Sequence, residues 1–215
     1  MVPRTRSYVG RREFSIITYL LGVAGLLAAV AGPAYMVNGG TQARGAVTVP
    51  VTVRIVDSEG APLTRAAVAV PDVPSGARVE VEATEVLLVA PGSTVVEQLL
   101  GRGDSALLGV CIGAAALLLL PVLRSVAAGR PFEPGSARRI AAVAGLVVLA
   151  GIVGPLLPQV AAMLVQERLG LTRTGAFTTG LSFDLLPLLV LTGVLVLAEA
   201  FRRGEQIAAD VEGLV

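Results

Sequence analysis

Four long stretches of this chain carry almost no charge, and arginines crowd between them. A helix that crosses the ~30 Å hydrocarbon core of a bilayer needs about 20 mostly apolar residues, and each stretch has that length or comes within a residue or two of it. The stretches are residues 14–37, 105–123, 140–166 and 174–198, and only the fourth contains a charged side chain, Asp184. We therefore predict a membrane all-α protein with four transmembrane helices.

The composition agrees with a membrane location and excludes several functions. Hydrophobic residues make up 54% of the chain and charged residues only 15%, whereas soluble domains contain about 25% charged residues. The net charge of +1 predicts no direct binding to nucleic acid, because that requires a concentrated basic surface. Histidine is absent, and with it the commonest general base and metal ligand. We therefore predict a protein that is not an enzyme and that uses no metal or other cofactor.

The positions of the arginines orient the four helices. Short loops rich in arginine stay in the cytoplasm. The chain has no lysine, and we interpret this as the codon bias of a high-GC bacterial genome. We therefore predict a multi-pass protein of the bacterial inner membrane with both termini in the cytoplasm. The predicted cytoplasmic parts are residues 1–13, 127–138 and 204–215, the extracytoplasmic parts 38–103 and 167–181, and the transmembrane helices 14–37, 104–126, 139–166 and 182–203.

Two interpretations of the first stretch are open. Residues 11–15, Arg-Arg-Glu-Phe-Ser, resemble a twin-arginine export signal, and residues 29–31, Ala-Val-Ala, fit a small-residue cleavage site. However, the apolar stretch is longer than the core of a usual export signal, which has about 7–15 residues. We favour a retained membrane anchor, and cleavage would leave the rest of the topology unchanged.

The predicted extracytoplasmic insert has the period of β-structure. Every odd position in residues 47–55 is apolar and β-branched while the even positions are Thr, Pro, Thr and Arg, which predicts a half-buried strand. Pro50 cannot donate to a ladder, so we expect it at a sheet edge or facing outward. Residues 78–90 are predicted as a further strand. Thr94 and Glu97 then match a capping box, which predicts a short helix before the second membrane span.

Small and kinking residues distinguish the second and third membrane helices. Gly109 and Gly113 form a GxxxG step, which permits close packing of helices in a membrane. Pro155 and Pro158 each remove a backbone donor, so we expect the overlong third helix to be kinked. Gln159 is expected either to bond between helices or to line a polar crevice.

The fourth predicted helix has charged residues at both ends. Asp184 is expected in its first turn, where the carboxylate meets the positive end of the helix dipole. Glu199 precedes Arg202 and Arg203 by three and four residues, which predicts ion pairs at the cytoplasmic end. Gly204 is predicted to end the helix.

The predicted cytoplasmic loop combines proline, aromatic and arginine residues. Phe132 follows Pro131 and is expected to place its ring at the level of the lipid headgroups, while Ser136 is expected to cap the third helix. Arg138 and Arg139 suit contact with anionic lipid heads. The loop and the tail are therefore candidate sites of contact with lipid or with a cytosolic partner. The candidate residues are Pro131, Phe132, Arg138, Arg139, Arg202 and Arg203.

Several short segments in the second half of the chain resemble one bacterial family. They are Gly-Arg-Pro-Phe at 129–132 with Arg-Arg at 138–139, Leu-Leu-Pro-Leu-Leu at 185–189, Ala-Glu-Ala-Phe-Arg-Arg-Gly at 198–204 and the closing Asp-Val-Glu-Gly-Leu-Val at 210–215. With the four-helix layout, they are similar to the DUF2975 family of small bacterial membrane proteins of unknown function. The resemblance implies a cytosolic helix–turn–helix regulator as partner, because members are often encoded beside one, and it implies no catalytic residues.

Three functional hypotheses follow from these patterns. The favoured one is a regulatory or scaffolding protein whose insert contacts something outside and whose arginine-bearing loop and tail engage a cytosolic partner. The alternative is a transporter subunit or small-solute permease that uses the kinked third helix and Gln159. A membrane enzyme is least favoured, because the sequence has no histidine and no serine-nucleophile motif.

Overall fold

The computed structural model describes residues 11–53, 55–56, 62–63, 65–68, 79–82, 85–171, 177–178 and 184–212. The helices are α1 (Arg11–Thr41), α2 (Val95–Gly101), α3 (Gly103–Ala127), α4 (Ser136–Val148), α5 (Gly154–Arg168) and α6 (Leu186–Glu212), and a π-helical segment, Leu149–Val153, joins α4 to α5. The strands are β1 (Val47–Val53), β2 (Ile55–Val56), β3 (Pro62–Leu63), β4 (Arg65–Val68), β5 (Val79–Glu82), β6 (Glu85–Ala90) and β7 (Phe177–Thr178). The chain divides into a helical unit (Met1–Tyr35, Ser105–Gly154 and Phe183–Val215) and a sheet unit (Met36–Asp104 and Pro155–Ser182).

Three of the described helical segments are long and apolar enough to cross a membrane. They are Glu13–Thr41, Gly103–Ala127 and Ser136–Arg168. Many of their large apolar side chains point outward, and Leu20 and Leu117 are 59% and 72% exposed. A protein in water leaves few such contiguous surfaces open, whereas lipid tails are as apolar as leucine. The described surface is therefore that of a membrane protein.

Length and apolarity do not select α6 as a fourth span. The helix begins at Leu186, well after the start of the predicted fourth stretch. Among the described residues of that stretch, 186–198 are helical and free of charge, and at 1.5 Å per residue they cover about 20 Å of the ~30 Å needed. Glu199, Arg202 and Arg203 follow at once. The fourth transmembrane helix therefore stays a prediction.

Small residues let α1 and α3 approach each other closely. A Cβ atom added at Gly109 would collide with the carbonyl oxygen of Ala28, and one at Gly113 would lie 2.6 Å from the Cβ of Ala29. A Cβ at Gly32 would lie 3.2 Å from the Cα of Gly109. Packing of this kind holds membrane helices together where the hydrophobic effect does not act. The GxxxG step seen in the sequence thus packs against α1.

The helices α4 and α6 pack as an antiparallel pair. Pro187, near the start of α6, contacts Gly151, and Glu205, near its end, contacts Ala137. The less exposed residues of α6 include a series at alternating steps of four and three, which is the heptad spacing of a coiled-coil seam. These residues are Pro187, Leu191, Val194, Ala198, Phe201, Glu205 and Ala208.

The α4–α6 seam explains why one predicted helix end is wrong. Gly204 does not end α6, which continues to Glu212. A glycine inside a helix costs roughly 1 kcal/mol relative to alanine, but here the heptad seam continues past it. Ile140, Ala198 and Val122 of α4, α6 and α3 form the buried core of the helical unit.

The third membrane segment is interrupted by the π-helical turn. The backbone N–H of Gly154 donates to the carbonyl of Leu149, five residues earlier. Pro155 follows directly, and in a regular α-helix the ring of a proline collides with the carbonyl four residues before it. A π-helical turn at this point is a known response of helices to such interruptions. The prolines in the sequence indicated that the regular helix is interrupted near residue 155, and the structure shows that the interruption is a π-helical turn.

The sheet unit is built on the buried face of β1. Val47, Val49 and Val51 are buried while Thr48 between them is exposed, which confirms the period-2 pattern. These valines share one core with β6 and α5. The buried members of this core are Val47, Val49, Val51, Ala90, Ala161, Ala162 and Val165.

Strand pairing in the sheet unit corrects one prediction and explains another. β1 pairs antiparallel with β6 along residues 47–52 and with β7 only at Thr52 and Val53. At Pro50, β1 is therefore paired on one side among the described residues, as expected for a proline in a strand. Residues 78–90 are not one strand, because β5 pairs with β4 while β6 pairs with β1. β2 and β3 form a separate two-stranded pair.

Candidate functional site

The predicted cytoplasmic loop and the tail of α6 meet through Phe132. Its ring packs edge-on against that of Phe201, with centroids 5.7 Å apart and an angle of 65° between the planes. A Cβ atom at Gly204 would lie 2.7 Å from the Cγ of Phe132, so only glycine leaves room for the ring there. Phe132 is 41% exposed, so a part of its ring stays open. We call Phe132, Phe201, Gly204 and Glu205 the loop–tail cluster.

Glu205 joins the cluster by capping α4. The backbone N–H of Ala137 donates to Oε1 of Glu205 over 2.7 Å. A carboxylate is stabilised at a helix N-terminus because the first N–H groups lack partners and the helix dipole is positive there. The cap therefore ties the start of α4 to the tail.

The predicted cap by Ser136 is wrong. Gly135 is the N-cap residue, with a φ of +90°, and it has no side chain that could cap the helix. Ser136 is already the first helical residue, one position too late for a side chain to cap the helix. Its Oγ is buried and has no hydrogen-bond partner within the described part of the chain. A left-handed glycine and a distant carboxylate thus replace the local cap.

Arg202 and Arg203 both bind Glu199. Nε of Arg202 lies 2.7 Å from Oε2 of Glu199, and Nε of Arg203 lies 2.9 Å from Oε1. This confirms the ion pairs expected from the spacing. The two arginine side chains are 54% and 73% exposed. Since two cations share one carboxylate, this part of α6 keeps a net positive charge on its surface.

The loop arginines lie in the first turn of α4. Arg138 is exposed and Arg139 is half-buried. In the described residues neither takes part in an ion pair. Pro131, before Phe132, is half-buried. The structure thus brings Phe132 to the tail but does not join Arg138 or Arg139 to the tail arginines.

A second polar cluster, in the sheet unit, centres on Glu97. Nε of Arg168 donates to Oε1 of Glu97 over 2.9 Å, and Nη1 of Arg168 donates to the carbonyl of Pro91 over 3.1 Å. The N–H of Thr94 donates to Oε2 of Glu97, and the N–H of Glu97 donates to Oγ1 of Thr94. This confirms the capping box. Next to it, the buried Gln98 donates from Nε2 to the Ser93 hydroxyl over 2.8 Å.

The environment of Glu97 favours its charged form. Burial by itself raises the pKa of the carboxyl, but the hydrogen bonds from Arg168 and from the N–H of Thr94 outweigh it and hold the pKa below its ordinary value of 4.5. Glu97 is only 2% exposed. The cluster therefore fastens α2 to the end of α5.

Neither cluster is a candidate metal site. Across the residues that the structure describes, no group of three or more Cys, Asp or Glu side chains is placed to hold a metal ion. The loop–tail cluster contains two aromatic rings, and the exposed Arg202 and Arg203 lie beside it in α6. This chemistry suits recognition of a protein or an anionic headgroup.

Sequence reasoning missed Phe201, Gly204 and Glu205 as members of the site. The heptad spacing that continues past Ala198 could have indicated that the tail packs against α4. The charged residues Glu199, Arg202 and Arg203 interrupt the apolar pattern there and hid this spacing. The bond from Ala137 to Glu205 joins residues 68 positions apart, which no local pattern reports.

Comparison with known proteins adds no relative. No family model, no curated protein and no solved structure matches this chain. The resemblance to the DUF2975 family therefore stays an expectation drawn from its motifs.

Proposed function

We propose that this chain is a multi-pass protein of the bacterial inner membrane with a non-enzymatic, regulatory or scaffolding role. In this proposal the insert contacts a ligand or protein outside the cytoplasm, and the loop–tail cluster with its arginines engages a cytosolic partner. The observation that carries the proposal is that Phe132 and Glu205 unite the loop and the tail in one surface. The family resemblance suggests a small helix–turn–helix regulator as that partner.

Contacts inside each unit support the proposed sidedness. Arg168, in the loop proposed to lie outside, binds Glu97 of the insert, which is proposed to lie on the same side. Ala137, in the loop proposed to lie inside, binds Glu205 of the tail. In both cases, two segments that the arginine count assigns to the same side of the membrane are in contact.

The same contacts support α6 as the fourth membrane helix. α6 runs antiparallel to α4, from Pro187 beside Gly151 to Glu205 beside Ala137, and α4 begins a segment that is long and apolar enough to cross a membrane. Apart from Thr192, the outward side chains of residues 186–198 are apolar, and Leu189 and Val196 are 70% and 66% exposed. Glu199 follows these apolar residues, at the level where the proposal places the lipid headgroups.

The packing of α1 supports a retained anchor. Cleavage at residues 29–31 would remove Gly25 and Ala28, which face α3. Gly113 would then lose both Gly25 and Ala29, and Gly109 would lose Ala28 and keep Gly32. The intact mass of the purified membrane protein tests this point, and a mass that lacks the first 31 residues contradicts it.

Site-specific photo-crosslinking in living bacteria tests the proposed partner contact. A photoreactive residue at position 138 or 203 is expected to capture the helix–turn–helix regulator, and one at Leu189 to capture none. Phe132→Ala is expected to weaken capture, because it separates the loop from the tail.

Arg124→Ala is the matched control, since Arg124 is an exposed arginine in the last turn of α3, outside the cluster. The proposal fails if positions 138 and 203 capture no soluble protein, or if Phe132→Ala and Arg124→Ala reduce capture equally.

A transporter subunit is the second candidate, because of the π-helical segment in the third membrane helix. Such segments are frequent at functional sites, and Gln159 lies half-buried a few residues further on. Solute flux into proteoliposomes that disappears in Gln159→Leu would favour transport. An absence of flux across a panel of small solutes would count against it.

A further inference from the structure

An apolar cleft of about 290 Å³ lies between α1 and α3 in the helical unit. Its walls carry the small residues Gly22, Ala29 and Ala114, and its rim carries the large side chains Leu26 and Leu117. The small residues that allow the two helices to touch have no side chains to fill the space beside the contact. The cleft is thus a consequence of the glycine packing.

Gly22 has room beside it for a side chain, whereas Gly113 does not. A Cβ atom at Gly22 would lie 3.7 Å from Cδ1 of Leu120, which is ordinary van der Waals contact. A Cβ at Gly113, by contrast, would lie 2.6 Å from the Cβ of Ala29. The helices are therefore in tight contact at Gly113 and leave an opening near Gly22.

The rim of the cleft is continuous with the outward apolar surface of the spans. Leu26 and Leu117 are 68% and 72% exposed, and their exposed neighbours Leu27 and Ile112 are apolar too. The apolar lining offers water few of the polar partners that an ordered water needs. The apolar surface around the cleft is suited to contact with hydrocarbon. The cleft therefore opens toward lipid tails.

We propose that this cleft binds one acyl chain of a membrane phospholipid. Its volume is at the lower limit of small-molecule sites, which span ≈300–1,000 Å³, so it suits a slender chain and not a bulky headgroup. The lining residues offer no charged side chain to orient a polar ligand. The bound chain supplies the van der Waals contacts that the missing side chains do not. This inference uses the membrane location of the proposed function but not its cytosolic partner.

Tryptophan fluorescence tests the site directly, because the chain has no tryptophan of its own. Leu117→Trp places a reporter on the rim of the cleft, and Leu189→Trp places one on α6, away from the cleft, where the native leucine has nearly the same exposure, 70%. The full chain in detergent micelles is titrated with phosphatidylcholine brominated on its acyl chains. The Leu117→Trp reporter is expected to be quenched at a several-fold lower lipid fraction than Leu189→Trp.

Filling the cleft should remove this difference. In the Leu117→Trp background, Ala114→Leu is expected to shift quenching to the lipid fraction of the Leu189→Trp protein. If Ala114→Leu does not fold, Gly22→Ala provides a smaller filling substitution for which room exists.

Each other outcome overturns the proposal. Parallel quenching of the two reporters shows contact with bulk lipid and no site. An absence of quenching at both positions contradicts the membrane location itself. If Ala114→Leu instead lowers the oligomeric mass of the protein, a second copy of the chain occupies the cleft.

Discussion

Two glutamates cap helices in this protein, and they are held in different ways. Glu97 caps α2 from the first turn of that helix, is 2% exposed and pairs with Arg168. Glu205 caps α4 from 68 residues away and is half-buried. In the sheet unit Glu97 and Arg168 neutralise each other in an internal ion pair. Near the loop–tail cluster, Arg138 is exposed in the first turn of α4.

Removing the first glutamate should have the largest effect on stability. Glu97→Ala leaves Arg168 without its partner and removes half of the capping box. We expect a loss of about 2–4 kcal/mol in the free energy of unfolding. This is less than the ~3–5 kcal/mol for a fully buried ion pair, because Arg168 is 27% exposed and can rehydrate. Reversible denaturation in detergent measures it. A double-mutant cycle with Arg168→Ala should show a coupling energy above about 1 kcal/mol, and additive losses would contradict the pairing.

Acid should weaken the sheet unit through the same residue. The folded-state pKa of Glu97 lies below its ordinary value of 4.5, so its charge stabilises the fold above that value and the contribution is lost as the pH falls through the folded-state pKa. Melting temperature measured from pH 7 down to pH 3 should fall more steeply for the native chain than for Glu97→Gln. Equal slopes for the two proteins would contradict this assignment.

Removing the second glutamate should have a smaller effect. Glu205→Ala takes the acceptor from the N–H of Ala137, and we expect a loss of about 1 kcal/mol, as for other helix caps. Glu205→Gln keeps an acceptor oxygen and should recover part of that loss. Thermal unfolding compares the three proteins. If Glu205→Ala costs as much as Glu97→Ala, the contrast between the two caps is wrong.

The tail arginines should matter least for stability. Arg203 is 73% exposed, and ion pairs on an open surface contribute little. We expect Arg203→Ala to leave the melting temperature unchanged within error while it weakens partner capture in the crosslinking assay. A clear drop in melting temperature would show that the arginine is structural.

Local patterns predicted the features that depend on neighbours in the sequence. The capping box of Thr94 and Glu97, the alternation of residues 47–53 and the pairs of Glu199 with its two arginines each follow from side chains three or four positions apart or from period 2. The GxxxG step was visible in α3, but its partner helix was not. The continuation of α6 past Gly204 was missed, because glycine is a common helix end and the packing of the seam is not local.

The sequence by itself determined that the chain carries apolar stretches long enough to cross a membrane, where a strand-rich insert interrupts them and that Thr94 and Glu97 cap α2. Those features follow from hydrophobicity, period and short-range hydrogen bonds, which act within a few residues. Only the tertiary structure decided that Phe132 lies on Gly204, that Glu205 caps α4 and that Arg168 closes on Glu97. These contacts join residues about 70 positions apart, and they depend on how whole helices pack, which no short segment encodes.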